Sequence, residues 1–122
     1  MRRTIYVKEA SVASDTELAW CAGFFDGEGS TSVLKTKRDK YLYLRMSVSQ
    51  KDPELLYKFQ SVVGYGKVYH NKRGTSSWDC YKREEVEAVL TSLWVYLSPQ
   101  KKRQAVDARC KVDSHRYNID NA

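Results

Sequence analysis

Two short runs of this 122-residue chain carry charges where a helix should not want them. Asp26-Gly27-Glu28-Gly29 stands at the carboxyl end of an expected helix. The backbone already carries partial negative charge there, so each acid is misplaced by roughly 0.3–1 kcal/mol. Lys101, Lys102 and Arg103 stand in the opening turn of another helix, where positive charge is equally unwelcome. The plain readings are solvated acids in a turn and a solvated basic turn. The chemical readings are sharper. Carboxylate and carbonyl oxygens, with glycines to turn the chain tightly, suit a hard divalent cation. Cations beside exposed helix amides suit a phosphate.

A third group of side chains lies on the polar faces of expected strands. Ser32, Thr36, Arg38, Tyr41, Tyr43, Arg45, Ser47, Lys67, Tyr69 and Asn71 are hydrogen-bonding or cationic, with almost no acid among them. An ordinary solvated sheet face would mix Glu and Asp with Lys. A twisted antiparallel sheet with this face fits the major groove of a duplex, where Arg, Asn and Ser read base edges. Lys and Arg outnumber Asp and Glu by 21 to 15, giving a net charge of +6 and a pI near 9.2. That balance suits a polyanionic partner without requiring one.

The elements that must position these groups follow from caps and periodicity. Ser14-Asp15-Thr16-Glu17 is a capping box that starts a helix running to about Asp26, ended by Gly27 and Gly29. Within it Ala19, Ala22 and Gly23 are small residues about one turn apart, which let another helix backbone approach closely. Residues 30–37 and 41–50 read as strands around Lys37-Arg38-Asp39-Lys40. In the second, Leu42, Leu44, Met46 and Val48 alternate with Tyr41, Tyr43, Arg45 and Ser47. Asp52-Pro53 opens a helix with Leu55, Leu56, Phe59, Val62 and Val63 on one face, stopping at Gly64. Residues 65–72 and 76–82 form a second strand pair around Lys72-Arg73-Gly74-Thr75, with the faces of Trp78 and Cys80 unassigned. A helix over about 84–97 follows, and Ser98-Pro99 starts a last one to about residue 112. The order predicts an α+β fold with an antiparallel sheet. Residues 1–13 read as an N-terminal arm, 14–112 as one domain and 113–122 as a polar, frayed tail. No segment repeats, so a two-fold site needs two chains.

Composition excludes several classes. No apolar run approaches the roughly 18 residues of a membrane span. Met1-Arg2-Arg3-Thr4 leads into no apolar stretch, so no signal peptide and an intracellular setting (cytoplasm or organelle matrix of the host) are expected. Cys21, Cys80 and Cys110 are scattered without CxxC spacing, which argues for reduced thiols over a disulfide framework or a zinc site. His70 and His115 are isolated.

The segment Trp20-Cys21-Ala22-Gly23-Phe24-Phe25-Asp26-Gly27-Glu28-Gly29-Ser30 resembles the motif of the single-motif LAGLIDADG homing endonucleases. Val48 to Lys51, Val63 to Val68 and Leu97 to Gln104 follow that family's order. The resemblance implies an αββαββα(α) domain with a curved antiparallel saddle. It implies a homodimer that cuts a palindromic or near-palindromic duplex DNA site, leaving 3′ overhangs, in the service of intron or intein mobility. Mg2+ or Mn2+ would be the cofactor, with Ca2+ binding without supporting cleavage. By that resemblance Glu28 and the Gly27 carbonyl hold metal, Asp26 fixes the helix end, and Gln50 and Lys101 act near the scissile phosphate, supported by Lys102 or Gln104. Leu34, Arg73 and Lys102 join the polar strand residues as DNA contacts, and Ala19, Ala22 and Gly23 form the dimer interface. Cys21, Phe24 and Phe25 depart from the motif's aliphatics, and Glu28 has a longer arm than the motif's Asp. Glu54 falls where some relatives are basic. The alternative expectation is a non-catalytic DNA- or RNA-binding member, a regulator or RNA maturase.

Overall fold

A computed structural model describes residues 12–122, and caps legible in the sequence fix where three of its four described α-helices begin. All but the last two residues of the expected arm, 1–13, lie outside the described residues. Ser14 Oγ accepts from the Glu17 amide at 3.1 Å while Glu17 Oε1 accepts from the Ser14 amide at 2.9 Å. This closed box starts α1, Asp15–Glu28. The chain then passes straight into β1, Gly29–Lys35, and turns back through β2, Leu42–Gln50. Asp52 caps α2, Pro53–Val63, by accepting from the Glu54 amide at 3.0 Å, and Gly64 ends it at φ 83°, a left-handed conformation that favours glycine. Next come β3, Lys67–His70, and β4, Ser76–Cys80. The segment read as a single helix over 84–97 is α3, Arg83–Leu93, followed by a 3-10 turn at Trp94–Tyr96.

The sheet is antiparallel throughout, in the order β1-β2-β4-β3. Its register sets Met46 opposite Cys80 and Val48 opposite Trp78. Leu44, Met46, Val48, Trp78 and Cys80 therefore share the face that packs on Cys21, Phe25, Leu56, Phe59, Val86 and Leu90 from the helices. Trp78 is fully buried, and Phe59 meets it edge-on at 4.8 Å. Burial also pushes the Cys21 and Cys80 thiols up to about 12, so both are inert packing groups. The α+β expectation holds.

The last helix departs from expectation. α4 does not stop near residue 112 but runs as Pro99–Asp120, and the tail read as frayed is helical. Tertiary contacts hold it. Arg83 donates to Asp113 at 2.9 Å, His115 bonds the Lys40 carbonyl at 2.7 Å, and the Tyr41 hydroxyl donates to Asp120 at 3.2 Å. Arg83 and Arg109 both clasp Glu87. Burial pushes that carboxyl up, but the two guanidiniums outweigh it and hold it below its ordinary value.

β1 is an edge strand, and α4 covers its open side. The Thr31 amide donates to Gln104 Oε1 at 2.9 Å, which satisfies an edge donor. The Thr31 hydroxyl, in contrast, is buried without a hydrogen-bond partner among the described residues. Thr31→Val keeps the shape and removes the orphan oxygen. It is expected to stabilise the fold by about 1 kcal/mol in urea titration. A loss of stability would show that the hydroxyl is bonded in solution.

Candidate active site and nucleic-acid interface

The two electrostatic oddities of the sequence meet in space. α1 ends at Glu28 with no basic residue in its last turn. α4 begins nearby, at Ser98, whose hydroxyl accepts from the Lys101 amide at 3.2 Å. Asp26 Oδ1 accepts from the Ser98 amide at 3.2 Å, so the acid at one helix end anchors the start of the other. The Lys101 ammonium then reaches back to the Gly29 carbonyl at 2.6 Å. A cation placed badly for its own helix is thus placed well for the carboxyl end of α1. With the Thr31–Gln104 bond, three long-range contacts join α4 to the α1–β1 junction.

Glu28 projects from this junction, exposed, and no cation among the described residues pairs with it. Gly27 beside it is exposed as well, with open space where a Cβ would stand. Gln50 ends β2 two residues beyond Val48, which lies opposite Gly29. The strand register therefore carries Gln50 past the junction, on its rim. Lys102 is drawn aside, its ammonium 5.8 Å from the centre of the Trp94 ring, and Gln104 is spent on the Thr31 amide. The carboxylate and carbonyl oxygens of Glu28 and Gly27 suit a hard divalent ion. Among the described residues, however, no group of three or more Asp, Glu, His or Cys is arranged to hold one.

The sheet face turned away from the helices carries most of the residues read as DNA contacts. Pairing sets Ser32 opposite Arg45, Leu34 opposite Tyr43 and Ser30 opposite Ser47. Lys67 and Tyr69 continue this face on β3. Thr36 and Arg38 lie in the β1–β2 turn, and Asn71 and Arg73 in the β3–β4 turn; Arg38, Asn71 and Arg73 are exposed. Tyr41 departs from the set. Its hydroxyl is held by Asp120, and the Arg116 guanidinium lies 4.2 Å over its ring, so α4 has claimed it. Tyr43 hydrogen-bonds Asp39 and holds that carboxyl below its usual range. Sequence reasoning missed Ser77 and Asp79, which occupy the same face once Trp78 points inward. A buried Trp in register with Val48 was the signal that would have assigned them. The face is therefore not free of acids: Asp79 sits at its centre, bonded to Arg45.

The small residues of α1 divide between two surroundings. Ala19 and Gly23 are exposed and, with Gly27, form an open stripe spaced one turn apart. Ala22 is not part of it. It is fully buried in its own chain beside Cys21 and Phe25, because it lies on the helix face that packs inward.

A carboxylate-ended helix braced against the edge of a four-stranded antiparallel sheet with a polar outer face defines an α+β saddle. The chain belongs to the LAGLIDADG endonuclease family, whose profile matches residues 21–112. It is 33% identical over 70 residues to the intron-encoded DNA endonuclease ai2b of Dictyostelium discoideum, an alignment covering 57% of this chain and 26% of that protein. Among solved structures it is similar to the homing endonuclease I-GzeII in complex with its DNA target (TM-score 0.66, 32% identity), covering 82% of this chain and 36% of that one. It shares its fold with I-CvuI, solved on the I-CreI target in the presence of magnesium (TM-score 0.68, 22% identity), covering 77% of this chain and 64% of that one. The chain thus spans about a quarter of the length of the Dictyostelium relative. Among the described residues no helix is long and apolar enough to cross a membrane.

Proposed function

We propose that this chain is a site-specific endonuclease acting on duplex DNA as a homodimer, hydrolysing phosphodiester bonds of a near-palindromic site with a divalent metal and leaving 3′ overhangs. The observation that carries the reading is the junction: an exposed Glu28, unpaired among the described residues, beside Gly29 and its bound Lys101, at the edge of a sheet whose outer face is polar and cationic. Each chain contributes one such carboxylate. Packing two α1 helices through Ala19, Gly23 and Gly27 would bring two Glu28 side chains together, with the open space at both glycines allowing close approach. Two-fold pairing would also give each chain one half-site.

Glu28 and the Gly27 carbonyl fit Mg2+ or Mn2+ as oxygen donors, with phosphate oxygens and the second copy completing the set. A metal held by Glu28 and the Gly27 carbonyl would supply Lewis-acid chemistry, activating water and offsetting charge on the phosphate. The chain's own groups do the positioning. Lys101, fixed by the Gly29 carbonyl, adds positive charge at the scissile phosphate. Gln50 donates and accepts hydrogen bonds that orient water at the rim. Asp26 holds the α4 start and with it Lys101.

The test is cleavage of a randomised duplex library in magnesium, with the products sequenced. A recurrent, near-symmetric cut site is the expected result. Enrichment of such a site without cutting would overturn the catalytic part and leave a DNA-binding protein. Neither cutting nor enrichment would overturn the whole.

A further inference from the structure

Asp79 is the feature that the proposed DNA-reading surface does not explain. It is only 8% exposed at the centre of a face otherwise built for a polyanion. A buried carboxylate costs solvation unless it is paired, and one facing phosphates also repels them. An ion pair made for stability gains little where one partner is as open as Arg45, whose side chain is 37% exposed. The arrangement around Asp79 is instead that of a clamp. Arg45 donates to Oδ1 twice, from Nε at 2.9 Å and from Nη2 at 2.5 Å, and the Ser77 hydroxyl donates to Oδ2 at 3.1 Å. Both carboxylate oxygens are therefore engaged and the carboxylate cannot swing. Ser47 and Lys67 flank it on the neighbouring strands, which sets the row along which the pair lies.

We infer that Asp79 is a positioning residue for base recognition, holding Arg45 by one edge so that its other edge meets a guanine in the major groove. A guanidinium has five N–H donors in a rigid plane. The clamp takes Nε–H and one N–H of Nη2. What remains includes one N–H from each terminal nitrogen, side by side at the far edge, the spacing that fits guanine N7 and O6. An unclamped Arg would sample many rotamers and lose that freedom on binding. A clamped one is ordered before DNA arrives, so discrimination does not have to overcome that loss. Asp79 thus acts through Arg45 and touches no base itself. The inference rests on the DNA-reading role proposed above.

The experiment is selection of a randomised duplex library by binding in calcium buffer, with wild type, Asp79→Asn, Arg45→Lys and Ser77→Ala compared base by base. Wild type is expected to prefer guanine at one position of each half-site by about tenfold to a hundredfold. Arg45→Lys keeps the charge but lacks the planar fork, and is expected to flatten that position alone. Asp79→Asn is expected to flatten the same position while overall affinity holds or rises, because a negative charge leaves the surface. Ser77→Ala, the mildest change, gives partial flattening there and keeps the test decisive if Asp79→Asn does not fold. Undiminished guanine preference in Asp79→Asn would overturn the inference and leave DNA reading intact. So would flattening at a different position, or evenly across the site as general loosening would give. If wild type enriches no duplex at all, both readings fall.

Discussion

Glu28→Gln is expected to reduce cleavage in magnesium at least about a thousandfold while leaving duplex binding unchanged or a few-fold tighter. The side chains are isosteric, so packing is not at issue. Glu28 is exposed at the end of α1, where no partner among the described residues depends on its charge. What disappears is the anionic oxygen donor. A hard divalent ion binds a neutral amide oxygen far less well than a carboxylate, and only the Gly27 carbonyl remains beside it. The proposed binding by the sheet face and by phosphate contacts does not use this group. Removing a negative charge near phosphates slightly favours it. The neighbouring acid supplies the control. Asp26 accepts from the Ser98 amide, so Asp26→Asn is expected to loosen the α4 start and lower stability along with rate, whereas Glu28→Gln leaves the unfolding midpoint in place. Single-turnover cleavage and duplex titration in calcium, run on both variants, separate the two effects. Full-rate cutting by Glu28→Gln would remove Glu28 from the chemistry.

Sequence alone conveyed what local chemistry decides. The Ser14–Glu17 box, the Asp52 and Ser98 caps and the Gly64 stop each depend on groups within four residues, and each closes as written. The alternation along β2 was legible for the same reason, since one buried face leaves a period of two. What failed depends on partners far along the chain. β4 is only five residues, and its alternation sets apolar Trp78 and Cys80 against Ser77 and Asp79; a charged residue between two apolar ones does not say which side is the core until Val48 is placed opposite Trp78. The end of α4 has no apolar stripe beyond Val112 strong enough to mark a helix. Arg83, the Lys40 carbonyl and Tyr41 hold it, from elements 30 to 79 residues away. Lys101 looked misplaced because the rule applied to it was local; its partner, the Gly29 carbonyl, is 72 residues distant. Ala22 shows the converse. Small residues on a helix permit close approach on any side, and only the packing shows that this one is used within the chain.

The largest stability effect is expected at Trp78, and it bears directly on the proposed DNA-reading surface. Trp78→Ala removes a fully buried indole from between Phe59 and β2 and is expected to cost about 3–5 kcal/mol, seen as a lower urea midpoint with an unchanged slope. Cavity formation is not the only loss. Trp78 Nε1 donates to the Tyr65 carbonyl at 2.8 Å and so ties the α2–β3 turn to the sheet. Gly66 adopts φ +86°, and a Cβ there would stand 2.4 Å from the indole nitrogen, so backbone conformation and packing are matched to this one side chain. Trp78→Phe separates the contributions. It retains an aromatic ring in the core but leaves the Tyr65 carbonyl without its donor, and is expected to cost about 1–3 kcal/mol. Ser77 and Asp79 flank Trp78 and face the other way, so a gap at Trp78 is expected to loosen their placement on β4. The guanine preference proposed for the Arg45 position should therefore fall in Trp78→Ala before overall affinity does, measured without urea at a temperature where the variant remains folded. An alanine variant of unchanged stability would mean that the core closes without the indole, and that the register holding Asp79 against Arg45 has another source.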